Sequence, residues 1–127
     1  MRRETVVVLL AVLGLTLSFK PLVAHHAGAT WDEDHRITLK GAVTEVDFSN
    51  PHVRIYFQVK EKNGDSVQWT AVSAPPQRLY RNGWNRDTLQ PGDLITVTGA
   101  PARDRRKILN VRELVGPRGK PLLEGAD

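Results

Sequence analysis

Arg36-Ile37-Thr38-Leu39-Lys40-Gly41-Ala42-Val43-Thr44-Glu45-Val46-Asp47-Phe48 is the stretch whose reading decides the fold. Its apolar residues alternate as Ile37 and Leu39, then change phase to Ala42, Val46 and Phe48 around Gly41. Period two belongs to a strand with one buried face. A phase change at a glycine predicts a bulge or sharp bend that re-aims a long strand. Such a strand suits a small barrel, where one strand serves both halves of the sheet.

Downstream, Val53, Ile55, Phe57 and Val59 alternate strictly with His52, Arg54, Tyr56 and Gln58, which marks a half-buried second strand. Asn63-Gly64 turns the chain into Val67-Trp69-Ala71 and completes a hairpin. Pro75 to Asn82 reads as a short helix, with prolines at its start and Gly83 past its end. Pro91-Gly92-Asp93 turns into Leu94-Ile95-Thr96-Val97-Thr98-Gly99, and a last strand runs from about Lys107 to Val115. Five strands with a short helix between the third and fourth is the order of an OB-fold, a small, partly open Greek-key barrel. The fold class is therefore all-β, with a plain antiparallel sandwich as the alternative. From Gly116 onward the chain is rich in Gly and Pro, and residues 117–127 read as a flexible tail.

Upstream lies a leader. Arg2 and Arg3 form a positive start, Thr5 to Phe19 an apolar run, and Lys20-Pro21 breaks it before Leu22-Val23-Ala24-His25-His26. This is the pattern of a cleavable export signal over residues 1–24, with the small Ala24 before the cut. A membrane anchor needs about 20 apolar residues, so a stable anchor is the weaker reading. Leu22 is larger than ideal three residues before the cut. A cut after Ala27 is the competing site, and it would remove both histidines. Periplasmic localisation is the expectation, with residues 25–35 an N-terminal arm and 36–116 the barrel.

Export changes the charge argument. The 127-residue chain carries 18 Lys and Arg against 14 Asp and Glu, a net +4. Removing residues 1–24 takes away Arg2, Arg3, Lys20 and Glu4, which leaves 15 basic and 13 acidic residues and a net charge of about +2. With Cys absent, disulfides and thiolate metal sites are excluded. Arg103, Arg105, Arg106 and Lys107 cluster in the loop between the last two strands, where nucleic-acid-binding OB-folds grip a backbone. Near-balanced mature charge and an aromatic content of 6% argue against base stacking, so no nucleic-acid partner is expected and the cluster reads as a solvated hairpin loop. Trp69, Tyr80 and Trp84 read as core or barrel plug rather than a ligand pocket. Ser49, Ser66 and Ser73 have no elbow or base beside them, so a serine triad is not supported.

Several ordered motifs carry a resemblance. Ala24-His25-His26, Leu39-Lys40-Gly41-x-Val43-Thr44-x-Val46 and Asn50-Pro51-His52 occur in that order. Gly83-Trp84-x-Arg86-Asp87-x-Leu89-x-Pro91-Gly92-Asp93 and Val97-Thr98-Gly99 follow. The chain resembles, over essentially its whole mature length, a group of small exported bacterial proteins known only as a predicted periplasmic domain of unknown function. The resemblance implies a single-domain β-barrel and export, and it supplies no activity. Members usually show a serine and an aromatic residue soon after the histidine pair, where this chain has Ala27 and Trp31.

The four histidines, His25, His26, His35 and His52, carry the candidate chemistry. Imidazole binds Cu(II), Zn(II) and Ni(II), and nitrogen-only sites favour copper. If export exposes His25 as the first residue, its α-amine and ring form a bidentate chelate. A further histidine then completes a three-nitrogen histidine brace, and His52, at a proline-stiffened corner facing out from Val53, is the natural choice. His25, His26 and His52 are the candidate metal ligands, with Cu(II) as the candidate cofactor. His35, beside Asp32, Glu33 and Asp34, reads as a surface residue in an acidic loop that matches no calcium-loop spacing. Three functions follow in order. The first is a periplasmic metal-binding protein, a copper carrier or sensor. The second is a non-catalytic binding module for a small molecule or protein partner, without metal. A copper-brace oxidative enzyme comes last.

Overall fold

The computed structural model describes residues 30–125; the leader, His25 and His26 lie outside them. The elements are β1 (Ile37–Asp47), β2 (Arg54–Lys60), β3 (Ser66–Val72), α1 (Pro76–Arg81), β4 (Leu94–Pro101), β5 (Ile108–Val115) and β6 (Pro121–Leu123). Neighbouring strands run β3-β2-β1-β4-β5-β6. Every ladder is antiparallel except β3–β5, a parallel pairing that closes the ring. The product is the closed five-stranded barrel with one short helix that the order of elements predicts, with β6 added beside β5. No helix among the described residues is long and apolar enough to cross a membrane.

β1 serves both halves of the barrel. Ile37 to Ala42 pairs with β4, Ala42 to Asp47 pairs with β2, and Ala42 itself faces Leu94 on one side and Gln58 on the other. The phase change lies three residues beyond Gly41. Val43 opposes Phe57 and Glu45 opposes Tyr56, so Thr44 is the extra, bulged residue. Before it, Ile37, Leu39, Gly41 and Val43 share the inward face; after it, Val46 and Phe48 do. A glycine leaves no side chain to count, so the inward row is silent at position 41 and half-buried Ala42 reads as the shift. Gly41 has a different task. A Cβ there would lie 2.9 Å from the Gln58 carbonyl carbon and 3.0 Å from the Phe57 ring.

The core is the inward row of each strand. Val53, Ile55, Phe57, Ala71, Val97, Leu109 and Leu114 are completely buried, and α1 adds Leu79. Proline fixes the start of α1, with Pro75 extended and Pro76 in the first turn. Its end is a Schellman closure: the Gly83 N–H donates to the Tyr80 carbonyl and the Trp84 N–H to the Leu79 carbonyl, with Gly83 at φ +84°. Leu79 and Trp84, the two positions this closure joins, are both buried in the core. Trp84 is thus barrel plug, as its spacing predicts. Tyr80, read with it as core, is instead exposed and packs against the Phe48 ring at 5.1 Å between centroids.

Beyond Gly116 the structure differs from the expected flexible tail. Pro117–Gly119 forms a 3-10 turn, and β6 then pairs Leu114 with Leu123 and Val115 with Pro121. The extra residue in that ladder, Leu122, accepts a hydrogen bond from the Trp84 indole at 3.0 Å. A Pro-Leu-Leu run is too short to show a period, so its strand comes from these tertiary partners and not from its own pattern.

Candidate ligand-binding cleft at the His52 corner

Period two sets the direction of His52. Val53 is completely buried, so the residue before it faces outward, and His52 is exposed. The corner is held at both ends. On one side the Ser49 hydroxyl donates to Asp47 at 2.6 Å, and the Asn50–Pro51 peptide bond is cis. On the other, the Val53 N–H donates to the Ala74 carbonyl and the Ser73 N–H to the Val53 carbonyl, at 3.0 and 2.9 Å. These two bonds carry the β2–β3 pairing past the end of β3 and set Val53, the neighbour of His52, opposite Ser73 and Ala74. Among the described residues the His52 ring makes no hydrogen bond.

His52 borders a cleft of about 430 Å³ between the exit of β3, α1, β5 and the end of β6. Ser73 continues the inward row of Ala71 and is 6% exposed, and its hydroxyl has no hydrogen-bond partner among the described residues. A buried hydroxyl left without a partner costs about 1–3 kcal/mol. Arg112 enters from a bulge in β5. Gly99 opposes Val111 and Thr98 opposes Glu113, so Arg112 is the unpaired residue and its side chain is re-aimed. Arg78, Asn82, Asn110 and Glu124 complete the polar lining. Of these, only His52 stands among the candidate site residues named from sequence. Ser73 carries a readable signal, since a polar residue at an inward strand position needs a partner.

The N-terminal arm docks on the neighbouring wall. Trp31 bridges to Ala102 antiparallel, the Asp32 N–H donates to the Pro101 carbonyl at 2.8 Å, and the Arg103 N–H donates to the Thr30 carbonyl at 3.1 Å. Arg112 donates through Nε to Glu33 at 3.1 Å and through Nη2 to the other carboxylate oxygen. Arg112 therefore touches both the arm and the cleft that His52 borders. His35 is exposed, as expected, with its Nδ1 3.1 Å from both Asp32 oxygens. The hydrogen bond from His35 and the charges of His35 and Arg103 hold the Asp32 carboxyl below the usual range. A depressed folded-state pKa stabilises docking above the ordinary carboxylate pKa, and that contribution is lost as pH falls through the folded value. Faster amide exchange at Asp32, on acidification below about pH 4 and after correction for intrinsic rates, is the expected result.

The basic cluster between β4 and β5 is largely neutralised. Arg103 lies 3.7 Å from Asp32, Arg106 2.7 Å from Asp104, and Lys107 3.9 Å from Glu61 while covering the Trp69 ring at 5.2 Å. The Gly83–Asp93 motif is also accounted for by folding. Besides the helix closure, Asn85 accepts from the Asp87 N–H at 2.7 Å, and the Thr88 hydroxyl accepts from the Asn85 N–H at 2.8 Å. Pro91-Gly92 forms a turn with Gly92 at φ +93°, pinned to β1 by Gly92 N–H to Val43 carbonyl and Val43 N–H to Asp93 carbonyl. These residues build scaffold.

The model of a family described as "Family of unknown function (DUF6152)" matches residues 14–110. The chain belongs to this family. The match takes in both the His25-His26 pair and the Asn50-Pro51-His52 corner, and it ends within β5, ahead of Arg112 and β6. No curated protein matches the chain. Among solved structures, a ZRD-deleted mutant of TiaS in complex with agmatine is similar at TM-score 0.48 and 21% identity, over 76% of this chain and 24% of that one. Apo TiaS is similar at TM-score 0.43 and 19% identity, over 75% of this chain and 19% of that one. The DUF6152 chain thus spans a quarter or less of the length of these structures.

Proposed function

We propose that this protein is an exported periplasmic β-barrel that binds a transition metal ion, copper first, through His52 and the histidines His25 and His26 of its mature N-terminus. The supporting observation is the state of His52: exposed, on a corner held from both sides, with no hydrogen bond to its ring among the described residues. Within those residues no group of three His, Cys, Asp or Glu side chains can hold a metal. A complete ligand set built on His52 therefore needs residues outside the described ones, and His25 and His26 are the candidates among them. His26 lies four positions and His25 five positions ahead of Thr30, which keeps the pair within about 18 Å of the docked arm. Because the Trp31–Ala102 bridge is antiparallel, an extended continuation runs toward Arg103–Lys107. Sharing a metal with His52 requires the segment to fold back along β5, where Arg112 already joins the arm to the cleft.

The chemistry depends on processing. Only a cut before His25 makes an α-amine available beside an imidazole, and nitrogen donors favour Cu(II) among the common divalent ions. Mature protein starting at His25 is expected to bind Cu(II) near neutral pH and to release it as pH falls through the imidazole range, since protons compete for the same nitrogens. One residue added before His25 should weaken binding by roughly 100-fold, equivalent to about 2.7 kcal/mol. His52→Ala should weaken it tenfold or more, at least about 1.4 kcal/mol. His35→Ala should leave it unchanged, because that ring is engaged with Asp32. Competition with a chromogenic chelator measures all four, and mass analysis of exported protein reports the N-terminus. Equal affinity with and without the added residue removes the brace, and no Cu(II) binding by either form leaves the metal-free binding module as the reading.

A further inference from the structure

We propose that the cleft beside His52 binds a small molecule through an oxyanion group, a carboxylate or a phosphate. The strongest pointer is Ser73. It is more than nine-tenths buried, it lines the cleft, and its hydroxyl has no partner among the described residues. A hydroxyl in that position is a donor waiting for an acceptor that the barrel does not supply.

The surrounding groups match an anion. Arg78, on the exposed side of α1, meets no carboxylate among the described residues. Arg112 is held in place by Glu33, so its guanidinium is oriented before a ligand arrives. His52 adds a ring nitrogen able to donate, and the Asn110 side chain, which makes no hydrogen bond among the described residues, adds an amide. Glu124 is the one acid in the lining. It opposes a bare anion at its own edge and accepts from a hydroxyl or ammonium carried elsewhere on the ligand. Arg112 already shares its charge with Glu33, so Arg78 is the lining's guanidinium without a carboxylate partner among the described residues, and charge-assisted hydrogen bonds from Arg to an oxyanion are the strong ones. A volume of about 430 Å³ falls at the small end of small-molecule sites. One imidazole and one carboxylate do not make a metal site, so this assignment stands apart from the metal reading although both include His52.

Titrating the purified protein, with EDTA present, against succinate, inorganic phosphate and the uncharged 1,4-butanediol tests it. Amide resonances of Ser73, Arg78 and Asn110 should move saturably with succinate, phosphate or both, and which of them acts identifies the oxyanion. Butanediol should move none of them. Arg78→Ala should weaken the anion about tenfold. Ser73→Ala should weaken it several-fold without lowering the melting temperature, since no partner is lost. No saturation in the millimolar range overturns the proposal. So do shifts as large at Arg105 and Arg106 as at Ser73 that survive Arg78→Ala, because these would report general attraction to surface cations. The chelator keeps this outcome separate from that of the copper experiment.

Discussion

Gly41→Ala should destabilise the barrel by on the order of 3 kcal/mol or more, with the midpoint of thermal unfolding falling by ~12–24 °C for a domain of this size. The added methyl meets backbone, since both the carbonyl oxygen and the carbonyl carbon of Gln58 lie in its path, with the Phe57 ring behind them. A flexible side chain can swing aside, whereas a strand in a closed barrel can yield only by breaking its ladder. At this position β1 passes from β4 to β2, and Ala42, the next residue, is paired to both. Relief therefore costs the Ala42–Gln58 and Val43–Phe57 pairings and the closure that depends on them. Gly64→Ala is the control. Gly64 has φ +90° in the β2–β3 turn, and a Cβ there meets nothing within 4 Å. Only the left-handed backbone opposes that substitution, at about 1 kcal/mol. Chemical denaturation of both variants separates close approach from backbone strain. Equal losses would mean that β1 and β2 do not cross closely at Gly41.

The contrast between these glycines shows what one sequence makes legible. Gly64 and Gly83 announce themselves locally, through Asn-Gly in a hairpin and through the end of a helix opened by prolines. The β2 alternation is equally readable, because Val53, Ile55 and Phe57 face one core and Arg54 faces water. Order of elements then suffices for the barrel. Positions set by contacts distant in sequence are harder to see. The apolar pattern points to a bulge at Gly41, and the bulge lies at Thr44; β6 escapes the pattern altogether because Leu122 takes its partner from Trp84, 38 residues earlier. The cleft is illegible for the same reason. His52, Ser73, Arg78, Arg112 and Glu124 come from five separate segments with no spacing to link them, and Arg112 is aimed by a bulge that only the β4–β5 register reveals. His52 alone is legible, on the strength of its chemistry and its proline corner. The histidine pair matched with it lies outside the described residues.

Trp84→Ala should cost about 3–5 kcal/mol, the range for removing a buried tryptophan, and its effect should reach the cleft. Trp84 is 4% exposed and sits where three pieces of structure meet. Its backbone N–H closes α1 on Leu79, its ring fills the core beside Leu79, and its indole N–H holds the Leu122 carbonyl. Trp84→Phe separates these roles. It keeps an aromatic ring in the core and removes the donor, at roughly 1 kcal/mol for the lost hydrogen bond plus some lost packing. Amide exchange should then quicken selectively at Leu122 and Leu123, while Ile55, Phe57 and Leu109 stay protected. Leu123 and Glu124 form one wall of the His52 cleft, so releasing β6 should also weaken any ligand that the cleft holds. Trp84 is not among the residues that line that cleft, so a binding loss in Trp84→Phe at nearly full stability would show that the tail is a working part of the site. Unchanged protection of β6 would mean instead that the Leu114–Leu123 and Val115–Pro121 pairs hold it unaided. In that case the indole serves the core alone, and the cleft wall is as rigid as the barrel it rests on.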